Sequence, residues 1–446
     1  MERRKTQSIP DLVLTLKERK IMFVLYEKDK QKLPIKVWLE NKEQLEHGAY
    51  EQAINLSNLP FAYKWVCLMP DVHEGYGMPI GGVIATENVI IPNAVGVDIG
   101  CGMCFTHTNI PVSLLKNTQT GSGLLIQNII GMIMRNIPVG FQHHKEHQPS
   151  ITIDYAFEEG FNHGWDDLSG ELERGYYQIG TLGGGNHFIE LQEDEQGFLG
   201  IMIHSGSRNF GYKIARYFNN IAKELNKKWH SNVPQEYDLA FLPVDINEGQ
   251  DYIRWMNLAL DFAKENRHIM MEKVKNIVFN TIEKYTNFKG INIDSEVNAH
   301  HNYATIENHY DKNVWIHRKG AIKVGENELG IIPGAMGSYS YIVKGLGNTE
   351  SFCSCSHGAG RIMSRKKASE EITIQKMMND LKEQDIVLGV VNKNNITDES
   401  RFAYKNIEQV INNELDLIEP IMKLKTIGAI KGSENNKRKN KNKKGD

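Results

Sequence analysis

The stretch from Met69 to Cys104, MPDVHEGYGMPIGGVIATENVIIPNAVGVDIGCGMC, constrains the fold more than any other part of this chain. It sets side chains of metal-binding type (Asp71, His73, Asp98, Cys101, Cys104) among glycines (Gly75, Gly77, Gly81, Gly82, Gly96, Gly100, Gly102). Carboxylate, imidazole and thiolate are the groups that hold transition metals. Glycine lets backbone approach a ligand closely. A chain folded around a metal, rather than a surface loop, is the expectation.

Four more islands share this texture: Gly180–Leu191 (GTLGGGNHFIEL), Ile201–Gly211 (IMIHSGSRNFG), Asn298–Ala304 (NAHHNYA) and Ile331–Arg365, which contains IIPGAMG and SFCSCSHGAGRIMSR. One histidine alone is more often structural than a ligand. Several histidines, each set in a loop of small residues, point to a shared ligand. His300 and His301 are adjacent, so their side chains diverge and one of them is expected to face a given metal. Cys101 and Cys104 form a CxxC, readable as half a zinc knuckle or as a redox pair. Cys353 and Cys355 form only a CxC, which weakens the zinc-ribbon reading.

The glycine-rich GTLGGGNH invites a phosphate-loop reading, but the chain has no GxxxxGK[ST] and no GxGxxG between a strand and a helix. It also lacks KxDG, the lysine-nucleophile motif of ordinary nucleotidyl-transfer ligases. Covalent activation of a nucleotide would need another nucleophile. Histidine can serve, and an imidazole is neutral in a useful fraction at pH 7. His357 in SHGAGR is the best-placed candidate, because Gly358, Ala359 and Gly360 let backbone N–H groups approach a phosphate and Arg361 offers a bidentate charge. The competing local reading is a tight glycine turn whose histidine caps a helix.

At 446 residues, with 40% hydrophobic and 24% charged residues, the chain reads as a globular protein with ample core. A net charge of −3 rules out a polycation, so any nucleic acid must be met by a local groove. Five cysteines in so long a chain argue against a secreted disulfide scaffold. No signal peptide and no membrane span are expected, and the cytoplasm is the default compartment.

Short apolar runs at 21–25, 35–38, 66–69, 83–85 and 89–91 predict strands. Helical spacing marks one long stripe from Ile253 to Ile282, a second helix after Gly211, and a third through Ile407, Val410, Ile411, Leu415 and Ile418 that Pro420 should kink or end. Strands and helices mixed without βαβ alternation predict an α+β fold. The organisation expected is a variable extension over 1–33, one compact catalytic domain over 34–432, and a basic, disordered tail over 433–446.

Taken together, PDVHEGYGMPIGGVIA, VGVDIGCGM, GGGNHFIE, HSGSR, HHNY, HRKGA, IPGAMG and SCSHGAGRxMSR resemble, in order, the RtcB family of RNA-splicing and repair ligases. The likeness runs from about Leu33 to Gly432, and the SFCSCSHGAGR form is nearer the bacterial branch. It implies a single domain built around a dinuclear metal centre. It also implies a GTP- and manganese-dependent enzyme that joins RNA 3′-phosphate or 2′,3′-cyclic phosphate ends to 5′-hydroxyl ends through a histidine–GMP intermediate. The nucleophile would correspond to His357. The two Mn2+ ions would be held by Asp98, Cys101, His187, His204 and His301, with Cys101 bridging and Cys104 a bystander. Guanylate contacts would fall on Asn186, His187, Phe188, Ile189, Glu190, His301, Asn302, Pro333, Gly334, Ala335, Met336, Ser340, His357, Gly358, Ala359, Gly360 and Lys431. Where the family often has IPGSMG this chain has Ala335, a loss of one neutral hydrogen bond worth about 1 kcal/mol. A metal-dependent phosphoesterase would explain the ligand set but not SHGAGR or AIKG. A plain RNA-binding module would explain neither. The physiological RNA (split tRNA, cleaved ribosomal RNA or damaged message) and any activating protein partner stay open at this stage. The ligase reading requires five ligands scattered through the sequence to converge beside one imidazole.

Overall fold

Two large, mostly antiparallel sheets form the framework. The computed structural model describes residues 22–392 and 396–432. The first sheet has six strands in the order Phe23–Leu25, Ile35–Val37, Ala62–Tyr76, Met78–Thr86, Lys312–Lys319, Asn302–His309. The second runs Ile293–His300, Gly102–Pro111, Phe198–Ser205, Phe188–Glu193, Ile418–Lys431, Tyr339–Gly345, Leu329–Ile332, with Val387–Val390 added alongside Ile418–Lys431. Among the strand pairs of the described residues, Ile35–Val37 on Ala62–Tyr76 and Val387–Val390 on Ile418–Lys431 are parallel and the rest antiparallel. Antiparallel sheets with helices packed on their faces make this a mixed, α+β molecule.

The second sheet is backed by the helix Asn247–Tyr285, whose 39 residues extend about 58 Å. Its first half buries Tyr252, Trp255, Met256 and Phe262 against the helix Arg208–Lys228. Its second half buries Met270, Val274, Val278 and Ile282 against Ile201, Ile203 and the helix Leu125–Asn136. The long stripe and the helix near Gly211 are therefore both present, the latter starting already at Arg208. Among the described residues no helix is long and apolar enough to cross a membrane.

Three expectations change. The run 66–69 is the middle of a longer strand, Ala62–Tyr76, which carries Asp71 and His73 past two shifts of register against Met78–Thr86. The strand expected over 21–25 covers Phe23–Leu25; Ile21, like most of the expected extension and all of the tail over 433–446, lies outside the described residues. The third helix ends at Asn412, and Ile418 opens the strand Ile418–Lys431. The apolar spacing misleads because the acids between the apolar residues face inward. Glu414 accepts from Ser356, and Asp416 accepts from the Trp38 indole at 3.0 Å. Pro420 sits within that strand at a register shift opposite Val343, where a missing N–H is tolerated.

Candidate active site and metal centre

Strand register gathers the histidine islands. In the second sheet Gly102 lies opposite both Ser205 and His300, His204 opposite Phe188, and Phe188 opposite Lys431. Five neighbouring strands thus share one end. Cys101 immediately precedes that end, His187 immediately precedes Phe188, and His301 immediately follows His300. His301 is also the one residue between the last strand of this sheet and Asn302–His309 of the other. Residues far apart in sequence meet there because they occupy the same register position.

The side chains converge as well. Cys101 Sγ lies 3.4 Å from His187 Nε2 and 3.3 Å from His204 Nε2. His187 Nε2 is 3.1 Å from Asp98 Oδ2, and His204 Nε2 is 3.4 Å from His301 Nε2. The donor atoms of Cys101, His187 and His204 all fall within 4.8 Å of one another. Burial holds the His204 and His301 imidazoles well below their ordinary range, so both are neutral, which is the ligating form. Burial also pushes the Cys101 thiol well up, and the nearby Asp98 carboxylate adds to this. A bound cation would reverse that and favour the thiolate. One sulfur, three imidazole nitrogens and a carboxylate suit a divalent transition metal, so the residues fit the metal that the sequence implies.

The backs of these ligands are fixed. His187 Nδ1 lies 3.1 Å from the Leu182 carbonyl, which turns Nε2 toward the cluster. Gly183, at φ +95°, leaves room for that ring: a Cβ there would lie 2.4 Å from His187 Nδ1. The fully buried Arg267 of the long helix donates to the carbonyls of Gly100 (2.8 Å) and Ser205 (3.0 Å), the residues beside Cys101 and His204. Arg267 also lies 3.2 Å from His300 Nδ1, so His300 is held away and His301 faces the cluster. Cys104 packs in the apolar core, its thiol directed 3.8 Å from the Arg267 carbonyl. The CxxC is therefore split between two environments.

His357 sits directly after the short strand Ser354–Ser356, its ring centroid 4.7 Å from that of His301. Asp71 Oδ2 accepts from the His357 backbone N–H at 3.1 Å and lies 2.6 Å from ring Nδ1. Asp71, read from sequence as a metal-binding type, thus stands behind the histidine rather than in the metal cluster. With Nδ1–H donated to the carboxylate, Nε2 keeps its lone pair. Gly360, at φ +71°, allows the close approach: a Cβ would lie 2.2 Å from the Asp71 carbonyl. On the far side Glu414 accepts from Ser356 N–H at 2.8 Å and from its hydroxyl. Burial raises the Glu414 carboxyl to about 8.

A cleft opens from this point, walled by Pro333–Met336 on one side and His357–Gly360 on the other, with Asn186, Phe188, Glu190, His204 and Lys431 among its lining. Among the described residues no hydrogen bond occupies the N–H groups of Gly358, Ala359 and Gly360, a backbone suited to anions. Strand alternation puts Phe188 and Glu190 in the cleft and Ile189 in the core behind. Ser340 is buried; its Oγ accepts from Gly334 N–H and Gln192 at 3.1 Å each. Asn302 lies to the side, donating to the Asp98 carbonyl and accepting from Gly320 N–H. Burial raises Glu190 to about 7, opposed by bonds from Thr426 and Gln192.

Sequence reading missed one whole edge of the cleft: Arg365, Glu399 and Tyr404, with His73 opposite. Glu399 is the hub. It accepts from Lys431 at 2.9 Å, Arg365 at 2.6 Å and the Tyr404 hydroxyl at 3.0 Å. Burial works against its charge, yet Lys431 and Arg365 hold it well below the usual carboxylate range. Arg361 donates to Met363, Tyr404 and Asp398. Nothing in the local texture near Glu399 carries the glycine and histidine signal that marked the other islands.

The family model described as tRNA-splicing ligase RtcB matches residues 52–432. The chain is 36% identical to the RNA-splicing ligase RtcB of Escherichia coli (strain K12), over 90% of this chain and 97% of that one. It is 32% identical to the tRNA-splicing ligase RtcB of Methanococcus maripaludis, covering 91% and 96%. With that of Pyrobaculum aerophilum the identity is 29%, over 90% and 95%.

Proposed function

Because the chain belongs to the RtcB family, we propose that it is a GTP- and manganese-dependent RNA ligase. It joins RNA 3′-phosphate or 2′,3′-cyclic phosphate ends to 5′-hydroxyl ends, in RNA splicing or repair in the cytoplasm. The domain that does this spans 34–432, between the extension over 1–33 and the basic tail over 433–446. The observation that carries the reading is the pairing of His357 Nδ1 with Asp71 at 2.6 Å, beside a Cys/His cluster and at the mouth of a glycine-walled cleft.

In the first step His357 Nε2 attacks the α-phosphorus of GTP. The N–P bond forms, the bond to the β-phosphate oxygen breaks, and pyrophosphate leaves. The Nδ1 proton stays on the ring, and Asp71 offsets the positive charge the ring acquires. Gly358–Gly360 N–H groups, with Lys431 nearby, face the phosphate, so positioning and charge do most of the work. Two Mn2+ ions held by Asp98, Cys101, His187, His204 and His301 would supply Lewis-acid neutralisation of phosphate oxygens. In the second step an oxygen of the RNA 3′-phosphate attacks the same phosphorus, freeing His357 and leaving an RNA-(3′)pp(5′)G end. In the third the 5′-hydroxyl attacks the RNA phosphorus and GMP departs. A cyclic phosphate is first opened by one water. Glu190, in the cleft floor, accepts from the guanine edge, and an adenine cannot satisfy it.

The test is direct. Wild-type protein incubated with α-labelled GTP and manganese is expected to carry a labelled band, and His357→Ala none, with an unchanged melting curve. A labelled His357→Ala band overturns the nucleophile assignment. Trimming of a 3′-phosphate/5′-hydroxyl RNA pair without joining, indifferent to GTP, overturns the ligase reading in favour of a phosphoesterase.

A further inference from the structure

The floor of the cleft contains an arrangement that the reaction scheme does not use. Glu190 Oε2 accepts two hydrogen bonds, from Gln192 Nε2 at 2.7 Å and from Thr426 Oγ1 at 2.9 Å. Among the described residues Oε1 has no hydrogen-bond partner, and Glu190 lines the cleft. Gln192 and Thr426 themselves are buried away from it. Gln192 Nε2 also donates to Ser340 Oγ at 3.1 Å, and Ser340 Oγ accepts from Gly334 N–H in the cleft wall. One amide therefore ties the carboxylate in the floor to the wall beside it.

The orientation of that amide is forced. Turned over, Gln192 would put its oxygen against a carboxylate oxygen. As it stands, the NH2 faces the Glu190 carboxylate oxygen and the Ser340 hydroxyl oxygen, while among the described residues Gln192 Oε1 is buried without a partner. A buried acceptor without a partner is rare and costs stability. A strand interior built for packing alone would carry an apolar residue here, as Ile189 and Leu191 do on the opposite face.

We infer that Gln192 and Thr426 are positioning residues for nucleobase selection: by occupying Oε2 they lock the Glu190 carboxylate so that Oε1 faces the cleft and accepts from the N–H edge of a guanine. The inference rests on the guanylylation reading above. Neither residue touches the nucleotide. Both act through Glu190, and Gln192 also links the floor to the wall at Gly334.

The experiment compares adduct formation from GTP and from inosine triphosphate, which lacks the 2-amino group, in the full-length chain. The variants are Gln192→Leu, Thr426→Val and Thr426→Ser, each with a thermal melt. Loss of one lock is expected to lower the preference for GTP over inosine triphosphate by about tenfold, through KM for GTP, with little change in the rate at saturation. Thr426→Ser, which keeps the hydroxyl, is expected to restore it. Should Gln192→Leu fold poorly, Thr426→Val carries the test, since it exchanges a hydroxyl for a methyl at constant volume. Folded variants with wild-type selectivity, or with a lower rate at unchanged KM and selectivity, overturn the proposal alone. No adduct on the wild type overturns the ligase reading and this proposal with it.

Discussion

The two corners of this site are built on opposite plans. In the metal corner each donor atom has other donor atoms as its nearest polar neighbours, Cys101 with His187 and His204, and His204 with His301, at 3.3–3.4 Å. In the nucleophile corner a single ring is held by a single carboxylate, and glycine backbone surrounds it. The first is a group of five side chains, with Asp98 and Cys101 from one loop and His187, His204 and His301 from three strand ends. The second presents one imidazole. The plans make different demands on neighbours. The collective corner needs its ligands' backs pinned by Arg267 and Leu182. The solitary one needs only its tautomer fixed.

That contrast can be broken at its strongest point by Cys101→Ala, which is expected to lose metal and all three steps. Cys104→Ala, three residues on, should keep both and cost about 1 kcal/mol of stability as a small core truncation. Metal analysis of the two purified variants checks this, and equal loss would mean the CxxC acts as a unit. Asp71→Asn is the next largest. It leaves the metal corner intact and should slow adduct formation by on the order of 10^2- to 10^4-fold, because an amide no longer selects the Nδ1–H tautomer or offsets the charged ring. A single-turnover assay with labelled GTP, beside an unchanged metal content, separates the corners.

The last effect lies in stability. Glu414, behind His357, keeps its proton in the folded chain up to about 8 but releases it near 4.5 when unfolded. Between those values the folded state binds the extra proton, so stability falls as pH rises, by at most about 1.4 kcal/mol per unit. Glu414→Gln cannot titrate, and its denaturation midpoint should vary less across that window. A variant curve parallel to that of the wild type would place the proton elsewhere.

Uncommon residue types among small residues marked the islands, but the set Asp98, Cys101, His187, His204 and His301 came from the family resemblance; the structure brings these five side chains together. Asp71 was read from sequence only as a residue of metal-binding type; no local pattern announces its pairing with His357, 286 residues away. The Arg365–Glu399–Tyr404 edge stayed invisible because charged residues in polar segments look like solvated surface until tertiary packing pairs them. The third helix was overextended because an i, i+3, i+4 pattern ignores which way the intervening acids point, and Glu414 and Asp416 point in.

His301 is where the chain passes from one sheet to the other, with no spacer on either side. Its imidazole faces the Cys/His cluster at the end of one sheet and, 4.7 Å away, the ring of His357, the proposed nucleophile. Because Asp71, on a strand of the first sheet, holds His357, sliding of the sheets against each other would change the distance between the cluster of the metal corner and the His357 ring. Loading that corner would act as a rivet through the joint, so that mechanical stiffness and chemical readiness arise from the same bond.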